Sequence, residues 1–578
     1  MRSIYAEKVD LAHPRNEYPY PQFKRDSFLC LNGRWGFSID ENSHISEGYN
    51  EEIVVPFAPE TELSGINRRI SKGEYLHYRK EFTFPKGFLR DRTFLHFEAV
   101  DQVADVYFNG EKVAHHEGGY LPFSVEITDL IQDTNVISLD VFDDTDNDVY
   151  PKGKQNNKNK GIWYTPTSGI WGSVWLESLP KVFINRLIFD PNFDEKTLDL
   201  QVLCDNCEVF AEISVQFKGK EICSKKIEVN KKETLPIDDF HPWSPEEPSL
   251  YELKIKLGED EVSSYFAMRK FSVMDYKGNK VFALNNKPYF MHGLLDQGYW
   301  PESGLTPPSE EAILADVKIT KELGFNTLRK HIKIEPMHFY YHCDRLGVLV
   351  LQDMMNAGTQ YSEFLINTAP FIKWKFDDRK RYKLLGRGNK ESRDFFEKEL
   401  PLYVEHLYNV PSIAAWTLFN EGWGQFDSVR LTAKLRECDP NRLIDSTSGW
   451  FDHQAGDFKS RHIYFRRPKA KSDKKRILAI SEFGGFVFPI EGHNFGSGEG
   501  IFYTKCKDKA DLSKKMKECY LETLLPMMEK EGLSEAIFTQ LSDVEQEENG
   551  LLTYDRAVCK ADKEVCLEIA KKMRFQND

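Results

Sequence analysis

The chain has 578 residues, a length that predicts several domains rather than one core. Apolar residues make up 40% of it and charged residues 29%, which is typical of a globular protein and excludes a disordered chain. Its 77 Lys and Arg face 91 Asp and Glu, and the net charge of −14 provides no cationic surplus for binding nucleic acid. Aromatic residues reach 13%, and aromatic rings suit both β-strands and the faces of sugars.

The first residues, Met1 to Lys8, place charges before an apolar segment can form, and no run of about 18 apolar residues follows. We therefore expect neither an export signal nor membrane insertion, and we expect the protein in the cytoplasm. A reducing compartment would keep its ten cysteines as thiols. Cys204-Asp-Asn-Cys207 lacks the second ligand pair of a zinc site, so we interpret it as structural thiols.

Two β-rich regions come first. Residues 1–180 contain short β runs separated by turn residues, and Asn109-Gly110 between two such runs indicates a hairpin, because a type I′ turn needs positive φ at both positions. This region predicts a jelly-roll-like β-sandwich. Over residues 181–275 the alternation is stricter, with every second residue apolar from Tyr251 onward. A smaller, immunoglobulin-like sandwich is predicted there.

Residues 276–578 alternate strands with helices, the pattern of βα units around a parallel sheet. One helix is predicted after Ser309, which can cap it, and Gly324 would end it. The strand candidates are Tyr289–Leu294, Phe325–Ile332, Val348–Met354, Ile413–Asn420, Leu443–Thr447, His462–Phe465, Ile477–Ser481 and Ala536–Leu541. Eight strands in about 300 residues predict a (β/α)8 TIM barrel with its active site at the strand carboxyl ends. The long stretch 356–393 fits either a solvated excursion or a lid over the site.

Two glutamates directly follow predicted barrel strands, Glu421 the fourth strand and Glu482 the seventh. Because these strands face each other across the barrel, the two carboxyls can approach to the ~5–5.5 Å at which one attacks an anomeric carbon and the other transfers protons. Asn420 is a candidate for hydrogen bonding a sugar 2-hydroxyl, and Trp423 adds an aromatic ring beside the pair. The pattern predicts a retaining glycosidase without cofactor or metal.

Further candidates for sugar contact are polar residues at the ends of other predicted strands: Arg329, His331, Asp353, Tyr464 and Gln540. Arg329 and Asp353 can instead form a structural ion pair. His331, Asp353, His453 and His462 also raise the alternative of a metallohydrolase barrel. They lack the HxH or HExxH spacing of metal ligands, which disfavours that alternative.

Six motifs extend over nearly the whole chain: Leu31-Asn-Gly-Arg-Trp35, Ala104-Asp-Val-Tyr-Phe-Asn-Gly110, Gly118-Gly-Tyr-Leu-Pro-Phe123, Ser168-Gly-Ile-Trp-Gly-Ser-Val-Trp175, Phe419-Asn-Glu421 and Ser481-Glu-Phe-Gly484. Together they resemble glycoside hydrolase family 2, which includes β-galactosidases, β-glucuronidases and β-mannosidases. The resemblance implies a sugar-binding sandwich, an immunoglobulin-like domain and a catalytic barrel, in that order. It also implies that Glu421 is the general acid/base, that Glu482 is the nucleophile and that Tyr464 orients Glu482.

We therefore expect a retaining exo-β-glycosidase that forms a covalent glycosyl-enzyme, with a carbohydrate as its only class of partner; a homo-oligomer is compatible with the sequence. Family glucuronidases are associated with an Asn-x-Lys element late in the barrel, whereas Asn285-Asn-Lys287 precedes the first barrel strand. A β-galactoside is therefore the expected substrate, with a β-glucuronide or β-mannoside as alternatives. A non-catalytic carbohydrate-binding protein is the alternative from another class.

Overall fold

The computed structural model describes residues 1–205, 209–356, 358, 377–464, 466–496 and 504–576. The first unit is a sandwich with the strands Leu29–Cys30 (β1), Gly33–Asp40 (β2), Glu51–Val55 (β3), Tyr75–Phe82 (β4), Arg92–Phe97 (β5), Val100–Asp101 (β6), Val103–Phe108 (β7), Glu111–Glu117 (β8), Phe123–Glu126 (β9), Asn135–Phe142 (β10), Gly169–Ile170 (β11) and Val174–Leu179 (β12). One sheet has the order β1-β12-β5-β9 and the other β3-β2-β4-β10-β7-β8, while β6 pairs with β11. The predicted hairpin is confirmed, since β7 and β8 pair around Asn109 and Gly110 at φ +51° and +87°.

The second unit is the predicted immunoglobulin-like sandwich. Its strands are Arg186–Asn192 (β13), Thr197–Leu203 (β14), Phe210–Phe217 (β15), Lys220–Glu228 (β16), Lys232–Pro236 (β17), Tyr251–Leu257 (β18) and Asp260–Phe266 (β19). They form the sheets β13-β14-β17 and β16-β15-β18-β19. Every second residue of β18 is buried, as its sequence alternation predicts.

Cys204, just after β14, is disulfide-bonded, so the expectation of a thiol is wrong there. Cys207 lies outside the described residues. The missing second ligand pair argued against zinc but not against a disulfide, and the choice of thiols then depended on the assumed reducing compartment.

The third unit is a nearly closed parallel barrel. Its strands are Met291–Asp296 (β23), Thr327–Lys330 (β24), Leu349–Asp353 (β25), Ile413–Thr417 (β26), Leu443–Asp445 (β27), Phe458–Ile463 (β28), Ile477–Gly484 (β29) and Leu533–Thr539 (β30). The order β27-β26-β25-β24-β23-β30-β29-β28 follows the chain around the barrel and confirms the eight predicted strands, with ends that differ by a few residues. A small sheet of Phe271–Tyr276 (β20), Asn279–Leu284 (β21) and Lys287–Pro288 (β22) packs its apolar side chains against the amino ends of the barrel strands.

The described helices are Glu310–Glu322 (α1), Met337–Leu346 (α2), Lys390–Leu407 (α3), Ser428–Cys438 (α4), Lys509–Cys519 (α5), Leu525–Glu531 (α6) and Lys563–Lys572 (α7). The predicted cap of α1 is confirmed, because the Ser309 hydroxyl accepts a hydrogen bond from the Ala312 amide. None of the helices in the described ranges is long and apolar enough to cross a membrane. Half of the stretch 356–393, predicted to be either a solvated excursion or a lid, lies outside the described residues.

A loop of the first sandwich docks on the carboxyl end of the barrel. The Glu545 carboxylate, beyond β30, accepts hydrogen bonds from the Asn159 side chain and the Thr165 amide, both at 2.7 Å. The Gly161 amide donates to Gln546 at 3.0 Å. This docking brings side chains of the first domain to the end of the barrel where the two predicted catalytic glutamates lie.

Candidate active site

Glu421 lies in a tight turn beyond β26. Its φ of +48° is in the left-handed region that non-glycine residues rarely adopt, and Gly422 follows at +73°. The Glu421 amide donates to the Ser448 carbonyl at 2.9 Å. A Cβ on Gly422 would lie 2.7 Å from the Phe451 ring, so a larger residue would disturb the turn. The turn fixes the backbone from which the Glu421 carboxyl extends.

Glu482 lies within β29 and not after it, which corrects the strand end expected at Ser481. The strand continues to Gly484, and its register against β30 shifts between Ile480 and Phe483. A register shift of this kind changes the direction of the side chains beside it. The irregularity of β29 therefore accounts for a carboxyl that leaves the middle of a buried strand and reaches the site.

The two carboxyls lie close together. One oxygen of Glu421, one oxygen of Glu482 and a ring nitrogen of His462 all lie within 4.8 Å of one another. Direct attack on an anomeric carbon needs carboxyls ~5–5.5 Å apart, whereas inversion needs ~6.5–9.5 Å so that a water molecule fits between them. The observed gap suits direct attack.

Arg329, on β24, forms the contacts that link the polar residues beneath the carboxyls of Glu421 and Glu482. It forms a two-pronged ion pair with Asp353, with both N–O distances at 3.0 Å. It also donates to Glu482 Oε1 at 3.0 Å and to Asn420 Oδ1 at 2.8 Å. Burial would lower the pKa of the guanidinium, but Asp353 and Glu482 raise it overall, so Arg329 is a permanent cation. Of the two alternatives for Arg329 and Asp353, the structure contains the ion pair.

Burial gives Glu421 the protonation that a general acid needs. It raises the pKa of Glu421 to about 7, while Lys154 and Arg329 act in the opposite direction and Glu547 adds to the rise. Lys154 lies 3.5 Å from the carboxylate of Glu547, which offsets part of its charge. A carboxyl with a pKa near neutrality can both give and take a proton at that pH.

Glu482 has contacts that stabilise its anion. Burial raises its pKa overall, and His462, Arg329 and Tyr464 oppose that rise. The Tyr464 hydroxyl donates to Glu482 Oε2 at 2.6 Å and lies 2.9 Å from Thr539 Oγ1. With Arg329 on Oε1 and Tyr464 on Oε2, each oxygen of the carboxylate has a donor. These contacts favour the ionised form of Glu482 and act against the effect of its burial.

We expect kcat/KM for a glycoside with a poor leaving group to fall as the pH rises through about 7. The acid form of Glu421 predominates below its raised pKa and is lost above it, and only that form can protonate the leaving oxygen. The measurement is the pH–rate profile of the unmodified protein, with Glu421→Gln as the control that should lack this basic limb. A profile that stays flat well above neutrality would contradict the pKa of Glu421.

Three other predicted site residues, Asn420, His331 and Asp353, lie beside or beneath the carboxyls of Glu421 and Glu482. Asn420 accepts from Arg329 through Oδ1, and its buried Nδ2 has no hydrogen-bond partner in the described part of the chain. That N–H can therefore donate to a sugar hydroxyl. His331 Nδ1 lies 2.7 Å from Asp353 Oδ2. His331 and Asp353 are both buried, and they hold Arg329 in place.

Trp423 lies against the first domain. It is 2% exposed, and its ring centroid lies 5.1 Å from that of Trp163, on the docked loop. The Lys154 ammonium lies 5.9 Å from the same ring. Sequence reasoning missed Lys154 and Trp163, because no local pattern signals which loop of one domain docks on another.

Gln540 does not present a free group to the site. Its Oε1 accepts from Gln297 at 2.8 Å and its Nε2 donates to Asn549 at 2.7 Å. Among the metallohydrolase candidates, His453 pairs with Asp378 at 3.5 Å, whereas His331 pairs with Asp353. Within the described residues, these four candidates do not form one group close enough to hold a metal ion.

The Glu421, His462 and Glu482 side chains are also close enough to hold a cation. His462 Nδ1 lies only 2.7 Å from Glu421 Oε1, which is a direct hydrogen bond and leaves no space for an ion between the two atoms. Arg329 lies 3.0 Å from Glu482, and its permanent charge disfavours a second cation there. We interpret the three side chains as a hydrogen-bonded network.

Three models of one family match the chain in sequence order. Residues 49–170 match the glycosyl hydrolase 2 galactose-binding domain-like model. Residues 182–269 match glycosyl hydrolases family 2, and residues 276–476 match the family 2 TIM barrel domain.

Relatives and solved structures agree with these matches. A β-galactosidase of Thermoanaerobacterium thermosulfurigenes is 28% identical over 75% of this chain and 53% of its own length. A β-glucuronidase of Bacteroides fragilis is 25% identical over 73% of this chain and 61% of its own length. The chain spans 44–56% of the length of the first three curated relatives. A solved β-D-glucuronidase of Dictyoglomus thermophilum has the same fold, with a TM-score of 0.73 over 96% of this chain and 98% of its own at 18% identity. The domain models, their order and the fold together establish that the chain belongs to glycosyl hydrolases family 2.

Proposed function

We propose that the protein is a retaining exo-β-glycosidase with Glu482 as nucleophile and Glu421 as general acid/base. The observation that carries this proposal is the pair of carboxyls with oxygens within 4.8 Å, placed in unlike surroundings. One carboxylate receives donors on both oxygens, and the other has a pKa raised to about 7. Family membership supports the same assignment.

In the first step a Glu482 oxygen forms a bond to the anomeric carbon as the bond from that carbon to the leaving oxygen breaks. The Glu421 proton moves to the leaving oxygen, so the alcohol departs neutral. Arg329 and Tyr464 hold the attacking carboxylate in position. Bond formation removes the charge of Glu482, and because a negative charge disfavours a second one nearby, Glu421 can then ionise more easily.

In the second step Glu421, now a carboxylate, takes a proton from water as the water oxygen attacks the anomeric carbon. The bond to Glu482 breaks, and its carboxylate returns to the same donors. The Asn420 Nδ2–H is available for a sugar 2-hydroxyl, a contact that strengthens as the oxocarbenium-like transition state forms. Two displacements at one carbon keep its configuration.

For the sugar we propose a neutral terminal residue, with a β-galactoside favoured over a β-glucuronide or a β-mannoside. A uronic acid needs a cation for its carboxylate, and the two cations that act on Glu421 already have anionic partners. Lys154 faces Glu547, and Arg329 holds two carboxylates. Relatives named β-galactosidase and β-glucuronidase both match the chain.

The test is a panel of aryl β-glycosides that share one leaving group and differ in the sugar: galactoside, glucuronide, galacturonide and mannoside. We expect the largest kcat/KM with the galactoside. A larger value with either uronide would overturn the choice of sugar and leave the glycosidase assignment intact. Binding of sugars without hydrolysis of any member would favour the non-catalytic alternative.

A further inference from the structure

His462 contacts both catalytic candidates, although it belongs to neither motif. It lies at the end of β28 with 4% of its surface exposed. Its Nδ1 lies 2.7 Å from Glu421 Oε1 and 3.5 Å from Glu482 Oε2. The ring is held in place by its surroundings, since a Cβ on Gly449 would lie 2.7 Å from it and the Trp450 ring centroid lies 5.5 Å away.

The neighbours of His462 decide which of its nitrogens carries the proton. The Ser448 hydroxyl, 2.9 Å from Nε2, also donates to Ser481 Oγ at 2.8 Å, so the charged neighbours decide the assignment. The Arg329 cation, which can only donate, lies 3.4 Å from Nε2, whereas Nδ1 faces the carboxyls of Glu421 and Glu482 at 2.7 and 3.5 Å. Nε2 is therefore the acceptor, and the ring proton is on Nδ1. Burial lowers the pKa of His462 to about 4, so the ring is neutral near neutral pH.

A neutral ring with its proton on Nδ1 donates to Glu421 Oε1. That oxygen is then an acceptor, so the acidic proton of Glu421 must be on Oε2. Of the two oxygens of the acid, only Oε2 can then protonate a leaving group. We infer that His462 is a positioning residue that confines the catalytic proton of Glu421 to Oε2. The inference rests on the proposed role of Glu421 as acid/base.

The contact also affects how readily Glu421 loses its proton. A donor to Oε1 stabilises the carboxylate, so removal of the donor raises the pKa of Glu421 further. The charged groups around His462 are Glu421, Glu482, Arg329 and Asp353. A purely structural role for the ring would leave the basic limb of the pH–rate profile in place.

The matched test compares His462→Asn with His462→Leu. The Asn amide nitrogen is as many bonds from the backbone as Nδ1 and can donate to Glu421, whereas Leu fills the same space without a donor. Both variants and Glu421→Ala are measured on aryl β-glycosides of graded leaving-group pKa. We expect His462→Leu to lose about 10- to 100-fold in kcat/KM with poor leaving groups and little with activated ones. This loss is a part of the ~10²–10⁴-fold rate enhancement that general acid–base catalysis supplies. The basic limb of the pH–rate profile of His462→Leu should move to higher pH, while the profile of His462→Asn should stay close to that of the unmodified protein.

The outcomes separate this inference from the proposed function. A steep leaving-group dependence in Glu421→Ala, with equal losses for all leaving groups in His462→Leu, would overturn the role of His462 only. Equal behaviour of the Asn and Leu variants would do the same. A flat dependence in Glu421→Ala would overturn both. If His462→Leu does not fold, Ser448→Ala removes the contact at Nε2 instead, and it should show a smaller loss that is again confined to poor leaving groups; a uniform loss would count against the inference.

Discussion

Glu482→Gln is expected to lower kcat/KM by at least about 10⁵-fold with every glycoside, whatever the leaving group. An amide supplies no attacking anion, and the donors that now serve the carboxylate, Arg329 and Tyr464, cannot replace it. Turnover rates of the purified variant provide the measurement, and sugar binding should persist because the shape of the side chain is kept.

Glu535→Gln is the matched control for this variant. Glu535 is also a buried carboxyl of the barrel, on β30, and burial raises its pKa to about 8. It is therefore mostly neutral at pH 7, and an amide resembles the form already present. We expect the control to retain most of the activity. Substantial turnover by Glu482→Gln, or an equal loss in the control, would remove the basis for calling Glu482 the nucleophile.

Glu421→Ala is expected to lose about 10²–10⁴-fold with a poor leaving group and much less in the first step with an activated aryl group. An activated group departs without a proton, but the second step still lacks its base, so the glycosyl-enzyme accumulates. Added azide, which needs no base, should then restore turnover and give a β-glycosyl azide. Rates across a leaving-group series, with and without azide, provide the measurement.

Two results would contradict the role of Glu421. Equal losses for all leaving groups, with no effect of azide, would show that Glu421 does not handle the proton. An α-glycosyl azide would show that azide occupies the face assigned to the nucleophile, so the two glutamates would have to exchange roles. Glu421→Gln is the matched variant that keeps the size of the side chain and lacks only the acid.

The sequence was sufficient where local patterns determine the structure. The buried alternation of β18, the capped helix α1 and the Asn109-Gly110 hairpin depend on neighbouring residues, and all three are confirmed. The two glutamates could be assigned to one end of the barrel because parallel strands present their carboxyl ends together. That assignment required only the order of the strands along the chain.

Features that depend on distant contacts were not predicted. The shift of register that redirects Glu482 arises between two strands, and it is not visible in either strand alone. The contact of His462 with Glu421 joins positions 41 residues apart through a turn with unusual backbone angles. Lys154 and Trp163 reach the site only through the docking of two domains.

The stereochemistry of the first product tests the central claim most directly. Proton NMR of a fresh digest of an aryl β-glycoside, recorded before mutarotation mixes the anomers, identifies the first-formed sugar. Carboxyl oxygens within 4.8 Å favour attack by Glu482 itself, so the β anomer should appear first. Initial release of the α anomer would mean that water attacks directly, and it would contradict the covalent intermediate and the assignment of Glu482 as nucleophile.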